Sequence, residues 1–488
     1  MQRYLLPCFV LLLLLSAPSV SAQAQDVPPT TSSDPFPLYR FTLPNGMQVW
    51  CRPRTDSNSA TALLVMDVGA RHEDASNNGI SHYVEHMLFT GTERWNEEEI
   101  KSIITRRGGN WNGWTSLEQT VYFAEVAAQD IPIALDWLDQ VVFRATFPAN
   151  KVDKEREVVF QEKWGRYGWL INSLDRLGFG YELDRGVRRA IFPDSTLGLR
   201  VIGEDAPLEQ IDRTALLDFY QTHYIPNNAV LIIVGNITPE QIRELAQNQF
   251  GDLEPGTRPP RTEPPALPET GPHRVVVRGP LLTAQTQVML GARTVGRNHP
   301  DRWALEVLAE LLDRNLTEEI RYQQGLVYGL SAGNVFFNDA GYLVITTTSD
   351  SANADLISST IEEHLERIRQ GAIDPERVAE AQAALQGSWA LATEDNYTRA
   401  RWLAQWPAVL SAEEAIPDYP AEIGAVTPDD LARVVQTYAT PERRYLGLHD
   451  PVVTVTSSAW IGGGIVGLGA GAWLTRRLWR RAKARQIK

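Results

Sequence analysis

The distribution of apolar and polar positions divides this chain into short strands and longer helical segments. Residues 229–234 and 341–346 are rich in apolar and β-branched side chains, as is typical of buried strands. Residues 303–312 instead place apolar side chains at three- and four-residue intervals, which predicts a helix packed into a core. Because such strands lie between longer helical segments in both halves of the chain, the pattern predicts an α+β fold with two domains.

A proline-rich segment separates the two halves. The prolines of residues 254–272 are too closely spaced for a helix or the interior of a sheet, which predicts a semi-rigid extended linker. On each side of it an apolar strand ends in the tripeptide Gly-Ala-Arg, at residues 69–71 and 291–293, and an amphipathic helix follows. This repeat, 222 residues apart, indicates an ancient duplication. We therefore expect two tandem homologous domains, at 36–253 and 273–450.

Both ends of the chain carry segments that predict targeting. Residues 1–24 combine Arg3 with an apolar run and small residues, which predicts a secretory signal peptide; a retained anchor is the alternative. Residues 455–475 contain no charged side chain and predict a C-terminal transmembrane helix, and the basic residues of 476–488 predict a cytoplasmic tail. We therefore expect attachment to a bacterial inner membrane through this helix, with the catalytic domains in the periplasm. A buried final helix and a sorting signal that is later cleaved are the other interpretations.

Charge and cysteine content narrow the choice of partners. The chain has 46 basic and 60 acidic residues and a formal net charge of −14. This acidic excess argues against nucleic acid or anionic lipid as a partner of the exported part, and it favours basic or neutral peptides. If the leader is removed, Cys51 is the only remaining cysteine, so no disulfide can form within the chain.

The strongest chemical signal is a cluster of two histidines and a glutamate. His82 and His86 are four residues apart, so on a helix they share a face and can both bind one Zn²⁺. Glu85 would lie beside the ion, where a carboxylate can accept a proton from the attacking water. Two side chains leave a zinc site incomplete, so a third ligand must come from elsewhere. The alternative is that these histidines are solvated or packed in a core.

A second segment supplies candidates for the missing ligand. Glu155 and Glu162 are seven residues apart, which is two helical turns, so they share a helix face. Glu162 can be the third ligand, and Glu155 can orient a histidine from behind. On its own, a charged helix face of this kind is usually only solvated.

Together the two segments resemble the inverzincin zinc metallopeptidases, the family of pitrilysin, insulysin and the mitochondrial processing peptidase. In that family the third ligand follows the second histidine by 76 residues, which is the separation of Glu162 from His86. Further similar stretches lie at residues 69–73, 87–92, 112–115, 120–122, 224–228 and 235–236. The resemblance covers most of residues 36–450 and is to the two-domain bacterial type. It implies a processing-peptidase-like fold, with a mixed β-sheet covered by helices in each domain, a metal-free second domain and one Zn²⁺ per chain.

The resemblance also implies substrate contacts from both halves. Asn112 and Gly113 lie in a segment similar to the family's edge strand, onto which an extended peptide adds as a further strand. Gly113 departs from the family pattern, which usually has alanine there, and we expect only a slightly looser strand. Arg321 and Tyr328 are similar to an arginine and a tyrosine that reach the substrate carbonyl, where the hydroxyl could stabilise the developing negative charge. In two-domain members this pair comes from a partner subunit, so we expect a homodimer or a heterodimer with a related metal-free subunit.

These expectations combine into a zinc metalloendopeptidase that hydrolyses unfolded peptides. Zn²⁺ held by His82, His86 and Glu162 would polarise the scissile carbonyl, Glu85 would transfer the water proton, and Glu155 would support the ligands. The alternative is a non-catalytic partner or scaffold subunit of a membrane-associated peptidase complex, since relatives of this fold exist that have lost their ligands.

Overall fold

The computed structural model describes residues 27–30, 37–165, 170, 173, 182–260, 263–266, 273–278, 285–411 and 413–450. Within this part of the chain, no helix combines the length and the apolar character needed to cross a bilayer. Even the 18-residue helix Pro375–Ala392 carries charged side chains, at Glu376, Arg377 and Glu380.

This finding contradicts the predicted C-terminal transmembrane helix at 455–475 and the inner-membrane location that was deduced from it. The segment 455–475 itself, the predicted leader at 1–24 and the basic tail at 476–488 lie outside the described residues.

The first half of the chain forms a seven-stranded sheet. Its strands are β1 (Val27–Thr30), β2 (Leu38–Thr42), β3 (Gln48–Pro53), β4 (Ser59–Met66), β5 (Asn110–Thr115), β6 (Thr120–Ala127) and β7 (Ala229–Gly235). They lie in the order β1-β2-β3-β7-β4-β6-β5. β3 and β7 run parallel, and the other neighbouring strands run antiparallel. β5 therefore forms one edge of this sheet.

The second half forms a five-stranded sheet with the same core topology. Its strands are β8 (His273–Arg278), β9 (Gln285–Thr294), β10 (Val327–Phe336), β11 (Gly341–Asp350) and β12 (Arg444–Asp450). Their order is β10-β11-β9-β12-β8, with β8 and β12 parallel and the other neighbours antiparallel. Taken from β8 to β10, the order and directions match β3-β7-β4-β6-β5. The predicted α+β fold with two mixed sheets is confirmed, and the shared topology fits a duplication.

Helices pack against both sheets. The first half contains α1 (Ile80–Leu88), α2 (Glu97–Ile103), α3 (Ile131–Phe143), α4 (Ala149–Trp164), α5 (Leu183–Ile191), α6 (Asp205–Gln210), α7 (Arg213–His223) and α8 (Pro239–Phe250). The second half contains α9 (Asp301–Leu316), a π-helical turn (Thr317–Gln323), α10 (Ala354–Arg369), α11 (Pro375–Ala392), α12 (Asn396–Leu403), α13 (Tyr419–Gly424) and α14 (Pro428–Tyr438). Polar side chains cap several helix starts: Asp212, Thr238 and Asp395 each accept a hydrogen bond from a backbone N–H of the first turn.

The central strands of the first sheet are buried on both faces. Along β4, Ala62 and Leu64 contact a core formed with α1 and α3, whereas Leu63 and Val65 contact a core formed with the second half. Because successive residues of a strand point to opposite faces, such a strand must be apolar throughout. The nearly unbroken apolar run of β7 has the same cause.

Each half also contributes one helix to the other half's sheet. Helix α12 packs on β4 and β7, and helix α5 packs on β8, β9 and β12. At the second contact the helix lies directly on the backbone, since a Cβ at Gly447 would lie 2.4 Å from a Val187 methyl group. Only glycine permits so close an approach. The two halves are therefore interlocked.

The two Gly-Ala-Arg repeats occupy different places in their sheets. Residues 291–293 lie within β9, but β4 ends at Met66, before residues 69–71. The prediction that both strands end at the tripeptide was therefore wrong. Gly69 instead lies against the loop after β5, where a Cβ would be 2.4 Å from the Ser116 carbonyl oxygen.

Candidate active site

Helix α1 starts at a left-handed glycine and is held there by a buried carboxylate. Gly79 has φ 101°, and a Cβ on it would lie 2.7 Å from the Gly203 Cα. Glu73 accepts hydrogen bonds from two backbone N–H groups at the helix start, at 2.7 and 2.8 Å. Burial raises the pKa of Glu73, and these hydrogen bonds oppose the rise. The first turn is thus fixed, and the helical spacing directs His82 and His86 towards α4.

Three side chains converge between α1 and α4. Glu162 Oε2 lies 3.5 Å from His82 Nε2 and 3.4 Å from His86 Nε2, and one ligand atom from each residue lies within 4.8 Å of the others. Two imidazole nitrogens and one carboxylate oxygen form a donor set that suits Zn²⁺, and this spacing is compatible with zinc–ligand distances of about 2 Å. Both histidine side chains are 15% exposed and that of Glu162 is 51% exposed, so the centre opens to solvent on the glutamate side.

The two histidines differ in their electrostatic surroundings. Burial, together with the neighbouring His86, lowers the pKa of His82 to about 3, which keeps its ring neutral. Burial works against a charged His86 as well, but Glu155, Glu85 and Glu162 outweigh it and raise the pKa of His86. Glu155 Oε2 lies 3.5 Å from His86 Nδ1, behind the nitrogen that faces Glu162. Because a metal binds only the neutral ring, a proton on His86 would compete with zinc.

Glu85 occupies a buried position next to the histidines. The Thr115 hydroxyl donates a 2.6 Å hydrogen bond to Glu85 Oε2. Burial raises the pKa of Glu85, and Glu162 adds to this effect, whereas the Thr115 hydrogen bond and His86 oppose it. On the strand side, a Cβ at Gly113 would lie 3.3 Å from Glu85 Oε1. The carboxylate is therefore held between α1 and β5 with its proton affinity increased.

The edge strand β5 forms one wall of a cavity of about 540 Å³ at this centre. Trp111, Asn112, Gly113, Trp114 and Thr115 line it together with the candidate ligands, Glu85 and Glu155. Asn112 Oδ1 accepts a 2.9 Å hydrogen bond from the Gly113 N–H, which occupies one backbone donor of the strand.

The structure does not bring Arg321 or Tyr328 to this cavity within one chain. Arg321 lies in the π-helical turn, and its guanidinium carbon is 5.2 Å from the ring centre of Tyr322. Tyr328 lies on β10 and is 92% exposed. Neither residue lines the cavity that contains His82 and His86.

Two contributors to the site were not found from the sequence. Thr115 and Glu73 both lie in stretches that resemble the family, but no role was predicted for either. Each acts on α1 from outside the helix, and the spacing of residues within one helix gives no signal for such contacts.

Two family models and a curated relative match this chain. The family model described as "Insulinase (Peptidase family M16)" matches residues 49–165, and the one described as "Peptidase M16 inactive domain" matches residues 210–385. An uncharacterised zinc protease of Mycobacterium leprae is 30% identical over 367 residues, which cover 73% of this chain and 79% of that protein. The chain belongs to peptidase family M16. The predicted resemblance is confirmed.

Two further similarities agree with this assignment. The beta subunit of the mitochondrial processing peptidase of Saccharomyces cerevisiae is 26% identical over 382 residues, covering 74% of this chain and 79% of that protein. A crystal structure of a protease from Helicobacter pylori has the same fold, with a TM-score of 0.76, 21% identity and coverage of 85% of this chain and 99% of that one. Relatives named zinc proteases support a peptidase-like function and zinc at the level of the M16 family.

Proposed function

We propose that this chain is a zinc endopeptidase that hydrolyses unfolded peptides. The observation that carries the proposal is the convergence of His82, His86 and Glu162 within 4.8 Å of one another. The buried carboxylate of Glu85 lies on the same helix as the two histidines, as this chemistry requires.

The three converging side chains would hold one Zn²⁺ per chain. Such an ion polarises a scissile carbonyl and makes water nucleophilic at neutral pH. The chain itself supplies proton transfer, because the Glu85 carboxylate can accept the proton of the attacking water and return it to the leaving amine. Burial raises the pKa of Glu85 towards the range in which a general base works best. The Thr115 hydrogen bond limits rotation of the carboxylate and so keeps it directed at the cavity.

Glu155 has a supporting role in this proposal. Its carboxylate lies behind His86, where it can orient the ring and increase its strength as a ligand. It is buried, whereas Glu162 is half-exposed. Glu155 and Glu162 of α4 therefore have different functions, although they share one helix face.

Substrate would bind as an additional strand beside β5. The cavity runs along β5 from Trp111 to Thr115, which suits an extended peptide and excludes a folded domain. A substrate carbonyl that pairs with the Gly113 N–H must first displace the Asn112 side chain from it. Asn112 thus becomes free to contact the peptide when the peptide binds.

The remaining substrate contacts would come from a second subunit. Arg321 and Tyr328 are exposed and lie away from the cavity of their own chain, as is expected of groups that complete the site of a partner. In a homodimer of this kind each cavity would receive Arg321 and Tyr328 from the other chain. A relative named as a subunit, the beta subunit of the mitochondrial processing peptidase, makes a related metal-free partner the second option.

Zinc content and hydrolysis of a quenched peptide, measured on the same full-length preparation, test the proposed function. We expect about one zinc per chain, loss of hydrolysis when a chelator removes it and recovery when zinc is restored. A preparation that binds zinc but cleaves no member of a peptide library would favour a non-catalytic partner subunit instead.

A further inference from the structure

A positively charged side chain of the second half lies near the edge strand β5, outside the candidate metal centre. Arg401 lies on α12, the helix that the second half contributes to the first sheet. Its guanidinium carbon lies 5.7 Å from the ring centre of Trp114 on β5 and 5.7 Å from that of Tyr397. Among the residues that the structure describes, no carboxylate pairs with Arg401, and its side chain is exposed.

Contacts between α12 and the first sheet fix the position of Arg401. Asn396, the first residue of α12, donates a 3.2 Å hydrogen bond to the Ser59 carbonyl and accepts a 3.1 Å hydrogen bond from Arg54. One residue further, the Tyr397 ring lies 4.5 Å from the Phe123 ring on β6. A guanidinium on a helix anchored in this way is held at the sheet edge.

Strand β5 presents different surroundings on its two faces. Successive side chains of a strand point to opposite faces. Gly113 and Thr115 both approach Glu85, so they lie on the face of the metal centre. Trp114 lies between them and points to the opposite face, where it packs against the core shared with the second half. Trp114 is only partly buried there, so part of its side chain remains accessible to a bound peptide.

We propose that Arg401 selects peptides with an acidic side chain at the position opposite Trp114. This inference rests on the proposed function, because it requires a peptide strand beside β5. In such a strand the residue opposite Trp114 points to the same face of the sheet and therefore approaches the guanidinium of Arg401. Since Trp114 lies between the two β5 residues that approach Glu85, the selected residue would be within about two positions of the bond that is cut.

The preference would be confined to one position of the substrate. On the face of the metal centre a peptide meets the carboxylates of Glu85, Glu155 and Glu162, whereas on the face of Trp114 it meets Arg401. The net charge of −14 disfavours acidic peptides in general, so long-range charge would not produce this preference. Because Arg401 is exposed, water and salt weaken its ion pairs, and we expect a selectivity of about fivefold.

Cleavage of matched quenched peptides by the full-length, zinc-loaded chain tests the inference. The peptides share one sequence with an amidated C terminus and differ at a single position, which carries Glu, Gln or Lys and is moved along the sequence in successive sets. Mass spectrometry locates each cut. At one position only, we expect kcat/KM to be about fivefold higher for Glu than for Gln. Arg401→Gln should abolish this preference, Arg401→Glu should shift it towards Lys, and Arg401→Lys should retain most of it.

Arg314→Gln is the matched control, since Arg314 is an exposed arginine on α9 that pairs with Glu310 at 2.6 Å. It should leave the preference unchanged. If Arg401 merely supports the Trp114 ring, Arg401→Gln will slow all peptides equally, and this result would overturn the inference and leave the proposed function intact. If Arg401 instead favours peptides with a free C-terminal carboxylate over the amidated ones, it binds the peptide end. This result would overturn the inference that it binds an acidic side chain. If the zinc-loaded wild type cleaves no peptide, the proposed function itself fails.

Discussion

The two halves of this molecule share one sheet topology. They differ in the side chains of an equivalent helix pair, which is α1 and α4 in the first half and α9 and α11 in the second. In the first half, α1 follows β4 and faces α4 with His82 and His86. In the second half, α9 follows β9 and packs against α11. At the 222-residue offset of the repeat, the two histidines correspond to Ala304 and Leu308, and both of these are buried. Both halves therefore have the same scaffold, and the candidate chemistry depends on a few side chains of one helix pair.

The second half contains a cluster of packed aromatic rings. The Trp389 ring lies 4.7 Å from Trp402 and 4.8 Å from Tyr419, and the Trp402 ring lies 5.2 Å from Trp406. Rings packed in this way stabilise a core, whereas a buried carboxylate such as Glu85 is costly unless it is hydrogen-bonded. In the first half, the hydrogen bond from Thr115 offsets part of the cost of burying Glu85.

Glu85→Gln should have the largest effect on activity and tests whether the chemistry lies in the first half. The amide keeps the shape of the side chain but cannot accept the water proton, so kcat should fall by about 10²- to 10⁴-fold. Zinc content should be unchanged, because Glu85 is not among the candidate ligands. Glu310→Gln is the control, since Glu310 lies on α9 and its side chain is 26% exposed. Equal peptidase activity of Glu85→Gln and wild type would contradict the mechanism.

A mixing experiment tests whether the second half completes the site of another chain. Chains with Glu85→Gln and chains with Arg321→Ala should each be nearly inactive alone. When the two are co-expressed, one of the two sites in each mixed dimer combines an intact Glu85 with an intact Arg321. Activity should then recover to about a quarter of wild type, because half of the dimers are mixed and each has one complete site. If both variants are inactive and mixing restores nothing, the sites are not shared.

The sequence predicted those parts of the fold and the candidate site that depend on local periodicity. The four-residue separation of His82 and His86, and the seven-residue separation of Glu155 and Glu162, place each pair on one helix face wherever the helix lies. The apolar run of residues 229–234 likewise predicted a buried strand, which is β7. The meeting of the two helices could not be obtained from spacing alone and required the family resemblance.

Contacts that depend on tertiary packing were not predicted. The hydrogen bond from Thr115 to Glu85 and the contact of Arg401 with Trp114 join residues that are far apart in the chain. Helices α5 and α12 each pack on the sheet of the other half, and the periodicity of the sequence does not predict this packing for the same reason. The end of β4 was misplaced because Gly69 turns against a loop rather than continuing the strand.

Glu155→Gln tests a smaller difference, the one between the proposed roles of Glu155 and Glu162 on α4. Loss of the carboxylate behind His86 should weaken zinc binding by about 10- to 100-fold, which titration with a competing chelator measures. Glu157→Gln, an exposed position on the same helix, is the control and should bind zinc as wild type does. If both variants bind zinc equally well, the Glu155 carboxylate does not support His86.

Gly113→Ala tests how much space an edge strand leaves for a side chain, on β5 beside Glu85 and, in the control, on β10. A Cβ at position 113 would lie 3.0 Å from Phe89 and 3.3 Å from Glu85 Oε1, so these neighbours must move by a few tenths of an ångström. We expect a loss of about 1 kcal/mol in stability and a fall in kcat of up to about tenfold. Gly333→Ala on β10 is the matched control, because no atom of the described residues lies within 4 Å of the added Cβ. A Gly113→Ala chain with wild-type kcat would show that the space beside Glu85 is not needed for catalysis.

The smallest predicted effect concerns two histidines of the first half that lie near its contact with the second. The rings of His72 and His223 are 5.9 Å apart, and His72 lines a cavity that Asn338 and Asp339 of the second half also line. Burial, with a contribution from His72, lowers the pKa of the buried His223 to about 4. In an unfolded chain the pKa of a histidine side chain is about 6.5. The unfolded chain therefore binds a proton below about pH 6.5 that the folded chain does not accept until about pH 4.

The contribution of His223 to stability is thus fully present above about pH 6.5 and decreases as the pH falls towards 4, by about 1 kcal/mol per pH unit. Urea unfolding at pH 7 and pH 5.5, with a chelator present so that zinc binding does not contribute, measures this loss. His223→Gln should reduce the dependence on pH, because the glutamine side chain does not titrate. His299→Gln is the control in the second half, since the His299 side chain is 44% exposed and not buried as His223 is. If His223→Gln and wild type lose stability equally between the two pH values, the acid sensitivity arises elsewhere in the molecule.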